Sequence, residues 1–199
     1  MLQAQSWAKD ANKTNSELWL EKGMPVIFMS YFIKLPNIDD SGLRKVWQVL
    51  QVVTDELQKE GNDFYIAAPM EFRFVKGGKS AMSGTYTEEE DVSFVNLDLI
   101  GFVGDKTVEK YPQKLLNFFA KVEQKWFEDY NGLPHHSKMY GFYDPKNPNT
   151  SSGPFNPNFL AAFRARNSES WNRFKNFRNQ LDPDGLFYNK YLRSLLGEQ

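Results

Sequence analysis

The 199-residue chain has a net charge of −1, with 41% hydrophobic and 25% charged residues. That balance fits a folded chain with one sizeable core and gives no basic field for nucleic acid. Cysteine is absent, which removes disulfides, thiolate nucleophiles and thiolate metal ligands, while 16% aromatic residues supply apolar area for a thick core or an apolar cavity. No apolar run reaches the roughly 18 to 20 residues of a membrane span. Met1-Leu2-Gln3-Ala4-Gln5-Ser6 also lacks the basic flank and apolar core of a signal peptide. The expectation is therefore a soluble chain, with the cytoplasm the favoured compartment.

In chain order, residues 1–20 read as an irregular or helical lead-in. Pro25 to Leu35, dense in β-branched and aromatic residues, predicts a strand that Pro36 and Asn37 close. A helix follows from Asp40 or Ser41, which offer N-caps, to Gly61, with Leu43, Val46, Leu50, Val53 and Leu57 on its buried face. Tyr65 to Val75 predicts the second strand and Val92 to Val103 the third, with Gly77-Gly78 and the solvated acidic run Glu88 to Asp91 between them. Pro112 opens a second helix over Gln113 to Tyr130, burying Leu115, Leu116, Phe119, Val122 and Trp126 and ending at Asn131-Gly132. Strand, helix, strand, strand, helix is the order of an α+β fold: a mostly antiparallel sheet covered by helices on one face.

The last third differs. Residues 141–158, rich in Gly, Pro, Asn and Ser, predict a long loop, either a functional cover or an ordered meander. Phe159, Phe163, Trp171, Phe174 and Phe177 then recur at helical spacing, as core rather than as a stacking platform for bases. Arg164, Arg166, Arg173 and Arg178 among them form a solvated or carboxylate-paired face.

Opposite charges stand inside the apolar run Ala67-Ala68-Pro69-Met70-Glu71-Phe72-Arg73-Phe74-Val75. Alternation in a strand points Met70, Phe72 and Phe74 one way and Glu71, Arg73 and Val75 the other. One reading is a core face backed by a prepared acid–guanidinium site. The other is an exposed pair on a surface strand. The adjacent His135 and His136 have no third ligand at a recognisable spacing, so no metal site is expected, and no Gly-x-Ser-x-Gly elbow signals a hydrolase.

Glu71-Phe72-Arg73 is followed by Pro134-His135-His136-Ser137-Lys138 and then by Leu181-Asp182-Pro183-Asp184-Gly185-Leu186-Phe187-Tyr188-Asn189-Lys190-Tyr191-Leu192. This combination resembles the C-terminal substrate-binding part of flavin-dependent oxidases of the vanillyl-alcohol oxidase superfamily. Within it the chain looks most like the sugar-lactone and alditol oxidases and the cholesterol oxidases that bind flavin covalently. The sugar-type enzymes carry a Glu-x-Arg pair on a strand, a Pro-His-Trp-Gly-Lys segment and a Leu-Asp-Pro-x-Gly-x-Phe-x-Asn-x-Tyr-Leu ending. The resemblance implies that Glu71, Arg73 and Lys138 are catalytic, with His135, Asn96 and Asn189 close to substrate or flavin. Arg73 and Lys138 would hold the substrate oxygen, assist its deprotonation and favour the charge that develops as hydride leaves, while Glu71 orients Arg73 or accepts a hydroxyl. In the cholesterol oxidases a comparable pair is thought to gate a tunnel to the flavin.

His136 and Ser137 stand where the family has Trp and Gly, and Asn96 and Asp98 lie on a strand where sugar-oxidising relatives tend to have a histidine. The Gly-rich loop and flavin-linking histidine of the family's N-terminal domain are also missing. The expectation is thus a single cap domain over 1–199 with a flavin-contacting tail, acting on a sugar lactone, polyol or sterol-like alcohol. Its FAD is bound mainly by an N-terminal domain outside this chain, without which it is inactive. The alternative is a non-catalytic α+β module that binds a hydrophobic ligand or a partner protein.

Overall fold

A computed structural model describes residues 25–61, 66, 70–103 and 110–197. The expected lead-in over residues 1–20 lies outside these residues, as do Tyr65 and Ala67 to Pro69 of the second strand. Strands β1 (Val26–Lys34), β2 (Glu71–Lys76), β3 (Ser93–Phe102) and β4 (Leu133–Pro134) form one antiparallel sheet in the order β2-β3-β1-β4. Helices α1 (Asp40–Glu60) and α2 (Gln113–Glu128) fall between strands, and α3 (Pro157–Arg166), α4 (Ser168–Leu181) and α5 (Lys190–Leu196) follow the sheet. The architecture is the expected α+β, with five helices and a four-stranded antiparallel sheet among the described residues.

Alternation along the two central strands separates the faces. Ile27, Met29, Tyr31 and Ile33 of β1 pair with Gly101, Leu99, Leu97 and Val95 of β3, and these apolar side chains are fully buried. α2 packs on that face, since a Cβ on Gly101 would come within 2.9 Å of the Phe119 ring. Trp126, also on α2, lies 5.7 Å from the Tyr31 ring and donates its indole N–H to the Val49 carbonyl, tying α1 to α2 over the sheet. The N-cap of α1 is Asp39, whose carboxylate accepts from the N–H groups of Ser41 and Gly42, one residue before the caps its sequence suggests. Its buried stripe is Val46, Val49, Val52 and Val53; Leu50 and Leu57 are half-buried and Leu43 is 45% exposed, so the stripe is turned away from the predicted one. All five apolar residues expected of α2 are buried.

Phe72 and Phe74 depart from expectation. They share the helix-side face with Leu97 and Val95, yet they are 47% and 42% exposed. β2 is the outer strand of the sheet, and the helix layer covers β1 and β3 without reaching it. Strand alternation was read correctly, but alternation says nothing of where the covering layer ends.

The 141–156 segment is an ordered meander. Glu123 of α2, fully buried, accepts from Tyr31 Oη at 2.6 Å and from the backbone N–H groups of Gly141 at 2.7 Å and Tyr143 at 2.8 Å. Ser151 donates to the Phe142 carbonyl, and Asn156 donates to Asp144 while its carbonyl oxygen caps α3. Beyond it the aromatics occupy two helices broken at Asn167; Phe159, Phe163 and Trp171 are core, whereas Phe177 is 59% exposed. Among the described residues Arg173 makes a salt bridge to the Glu88 carboxylate at 3.1 Å. Arg164 donates to the carbonyls of Ser194 and Leu195, Arg166 lies over the Phe127 ring, and Arg178 lies over Tyr188.

Candidate functional site on the sheet face opposite α1 and α2

Paired residues on antiparallel strands share a face, so the register assembles the site. Glu71 is opposite Asp98 and Asp98 opposite Ser30; Arg73 is opposite Asn96 and Asn96 opposite Phe32; Ile100 is opposite Phe28. These three rows lie on the face that α1 and α2 do not cover. After β4 the chain continues along β1, with the His135 N–H donating to the Ser30 carbonyl and the Met139 N–H to the Phe28 carbonyl, both at 2.9 Å. With strands about 4.8 Å apart, a row from β2 through β3 to β1 spans about 10 Å. Glu71, Arg73, Asn96, His135 and Lys138, distant in sequence, thus share one surface.

Arg73 is its electrostatic centre. Its Nη2 lies 2.9 Å from Glu71 Oε2 and 3.2 Å from Asp98 Oδ2. The Arg73 and Glu71 side chains are 62% and 63% exposed, whereas that of Asp98 is 5% exposed. The Glu71–Arg73 couple is therefore a surface pair, as the plainer sequence reading had it, but one rooted on a buried carboxylate. The Glu71 hydrogen bond, then the charges of Asp98 and Glu71, hold the guanidinium above its ordinary pKa, so it stays charged. Asn96 is buried; its amide donates to Ser30 Oγ at 2.8 Å and to the Tyr31 carbonyl at 3.3 Å, which makes it a brace within the sheet rather than a free donor.

At the other side, Lys138 Nζ sits 3.9 Å from the centroid of Phe28, a cation held against an aromatic face of the same surface. The His135 ring stacks on Phe32 at 5.5 Å and 27°, and its Nδ1 accepts the Ser137 N–H at 3.2 Å, which places the proton of the neutral ring on Nε2. His136 turns inward among Tyr140, Phe163 and Trp171, and burial, then the charge of His135, lowers its pKa from 6.5 to about 4. A cleft of about 260 Å³ opens beside Phe32, between His135, His136 and Ser137 on one side and Met82, Ser83 and Gly84 on the other. A larger groove of about 460 Å³, lined by Trp47, Gln51, Lys125 and Tyr130, lies between α1 and α2 and contains none of the predicted site residues.

Asn189 is used differently. Its side-chain oxygen accepts the Leu192 N–H at 2.9 Å and so caps α5, while Tyr191 of that helix reaches the His136 carbonyl at 3.2 Å. Sequence reasoning missed Asp98 and Phe28 as site members. The signal available was the i, i+2 repeat of Asn96 and Asp98 within an apolar strand, which mirrors Glu71 and Arg73; only the register shows that the two polar pairs face each other.

A helix-backed sheet whose other face carries a guanidinium, carboxylates and an ammonium is suited to holding a polar ligand. The family model for D-arabinono-1,4-lactone oxidase matches residues 41–195, more than three quarters of the chain and the whole of this face except β1. The chain belongs to the D-arabinono-1,4-lactone oxidase family, a family of oxidases. No curated protein matches it. Among the described residues no helix is long and apolar enough to cross a membrane.

Proposed function

We propose that the chain is the substrate-binding part of an FAD-dependent oxidoreductase that acts on a CH–OH donor, with a sugar lactone, polyol or sterol-like alcohol as the substrate class. The observation that carries this reading is the collection of Glu71, Arg73 and Lys138 on the sheet face opposite α1 and α2. The family match supports it. The residues fit the substrate side of a flavin: the face carries two cationic donors, Arg73 held by Glu71 and Asp98, and Lys138 over the ring of Phe28, which is opposite Ile100. Arg73 and Lys138 would hold the reacting oxygens, and FAD, when bound, supplies the acceptor for the hydride.

On this reading Arg73 donates to the substrate oxygen and lowers the cost of removing its proton, because a permanent cation favours the alkoxide. Lys138 supplies a second donor from the opposite edge, its stem held by Phe28. The exposed Glu71 carboxylate accepts a neighbouring hydroxyl and turns the substrate toward Arg73. The main FAD-binding domain is placed outside residues 1–199, in the same polypeptide or another. Co-expression with a flavin-binding domain encoded next to this chain tests the proposal: a yellow complex that oxidises a sugar lactone or polyol is expected, with turnover lost in Arg73→Ala and Lys138→Ala while circular dichroism is unchanged. A colourless complex inert toward a panel of alcohols overturns it.

A further inference from the structure

Two carboxylates hold Arg73, and they differ in every respect that decides whether a contact persists. Asp98 lies on β3, hydrogen-bonded on both sides by β2 and β1, and its side chain is 5% exposed. Glu71 opens the outer strand β2, and its side chain is 63% exposed. Both accept from the same nitrogen, Arg73 Nη2.

We infer that Asp98 is the positioning residue of the site, a fixed tether that holds the Arg73 guanidinium over the sheet face opposite α1 and α2, while Glu71 is an exchangeable partner that yields to the substrate. This inference rests on the oxidoreductase reading for its catalytic consequence and on geometry alone for the tether. If Arg73 left Asp98, a buried carboxylate would lose the only partner seen for it among the described residues, and an unpaired buried charge is strongly disfavoured. If Arg73 left Glu71, an exposed carboxylate would gain water, at little cost, because solvent-exposed pairs are weak and screened. An incoming hydroxyl or carbonyl oxygen therefore displaces Glu71 and not Asp98. The register adds direction, since Asp98 is diagonal to Arg73 across β2 and β3 and draws its side chain back toward the row of Glu71 and Ser30. Asp98 touches no substrate; it acts through Arg73.

The tether is tested first in the full chain, by following the Arg73 side-chain N–H signals in nitrogen-15 NMR, assigned by their loss in Arg73→Lys. Slow rotation and protection of the Nη2 protons are expected in the wild type and in Glu71→Gln, and their collapse in Asp98→Asn. The second arm is turnover of the complex with a flavin-binding domain. Asp98→Asn is expected to lower kcat by up to about a hundredfold, because a displaced donor loses its alignment with the reacting atom. Glu71→Gln should mainly raise KM, and Asp98→Glu, which restores the charge, should recover part of both readouts. Should Asp98→Asn fail to fold, Asp98→Ser removes the same charge with a smaller side chain. Unchanged Arg73 signals and normal turnover in the Asp98 variant would overturn the tether and leave the oxidoreductase reading intact. A wild-type complex without activity, with the signals ordered as expected, would remove the oxidoreductase reading and leave the tether standing.

Discussion

Glu123 and His136 titrate in opposite senses, and together they set the pH profile of stability. Burial, against the hydrogen bonds from Tyr31, Tyr143 and Gly141, raises the Glu123 pKa from 4.5 to about 7. Between those values the folded chain holds a proton that the unfolded chain has released, so stability falls as pH rises through the window. His136 goes from 6.5 to about 4 on folding. There the unfolded chain holds the extra proton, so stability falls as pH drops. Each slope is about 1.4 kcal/mol per pH unit, and each integrates to about 3 kcal/mol. Over pH 4.5 to 6.5 they cancel. Glu56, pulled upward by burial but lowered overall by its bonds to Lys59 and Lys125, acts only at more acid pH.

Substitution of either group should unmask the other. Glu123→Gln keeps an acceptor for Tyr31 and Gly141 but sets its amide against the Tyr143 N–H, a general loss of about 1 to 3 kcal/mol. On top of that loss, its stability should climb from pH 4.5 to 6.5 by about 3 kcal/mol relative to wild type. His136→Phe, which suits the surrounding Tyr140, Phe163 and Trp171 rings, should instead decline over the same range. Urea unfolding at half-unit pH steps, extrapolated linearly to water, measures all three profiles. A Glu123→Gln profile parallel to that of wild type would refute the assignment of the proton to Glu123.

Arg73→Lys removes the planar guanidinium whose Nη2 meets both Glu71 and Asp98; in a complex with a flavin-binding domain it should lower kcat/KM by about a hundredfold, read by initial rates, and near-normal turnover would take Arg73 out of the mechanism. Gly84→Ala would set a Cβ 2.2 Å from Phe32 Cδ2, so the ring must move; unfolding measurements should show a loss of about 1 to 3 kcal/mol, and the His135 NMR signals should shift as its stacking partner leaves. Asn156→Ala removes the α3 cap and the bonds to Asp144 and Ser152, and should cost about 2 kcal/mol by urea unfolding, with local amide exchange faster across 141–156.

The elements were legible in the sequence because the apolar periods are strong: β1, β3 and α2 fall within a residue or two of expectation, and Asn131 takes the left-handed φ of 53° that ends a helix. What the sequence could not show was extent and register. Phe72 and Phe74 read as core because they alternate correctly, and they are exposed because β2 lies beyond the helix layer. Leu43 belongs to a plausible stripe, but tertiary packing rotates α1 to bury Val49 and Val52 instead. Glu71, Arg73 and Lys138 stood out by type and motif. Asp98 did not, because a polar residue within a strand gains meaning only from its neighbours on the adjoining strand, and its bond to Arg73 crosses 25 residues of chain.

β2 also has a bearing on self-association. An outer strand exposes unpaired backbone groups, and Phe72 and Phe74, in edge-to-face contact at 6.1 Å, add adhesive surface to that rim. Arg73 stands between them and Glu71 and Lys76 flank them, charges that discourage a second strand from annealing there. The charges proposed to meet a substrate would thereby also oppose self-association along the edge of the strand. Replacing them with apolar side chains should promote association through that rim.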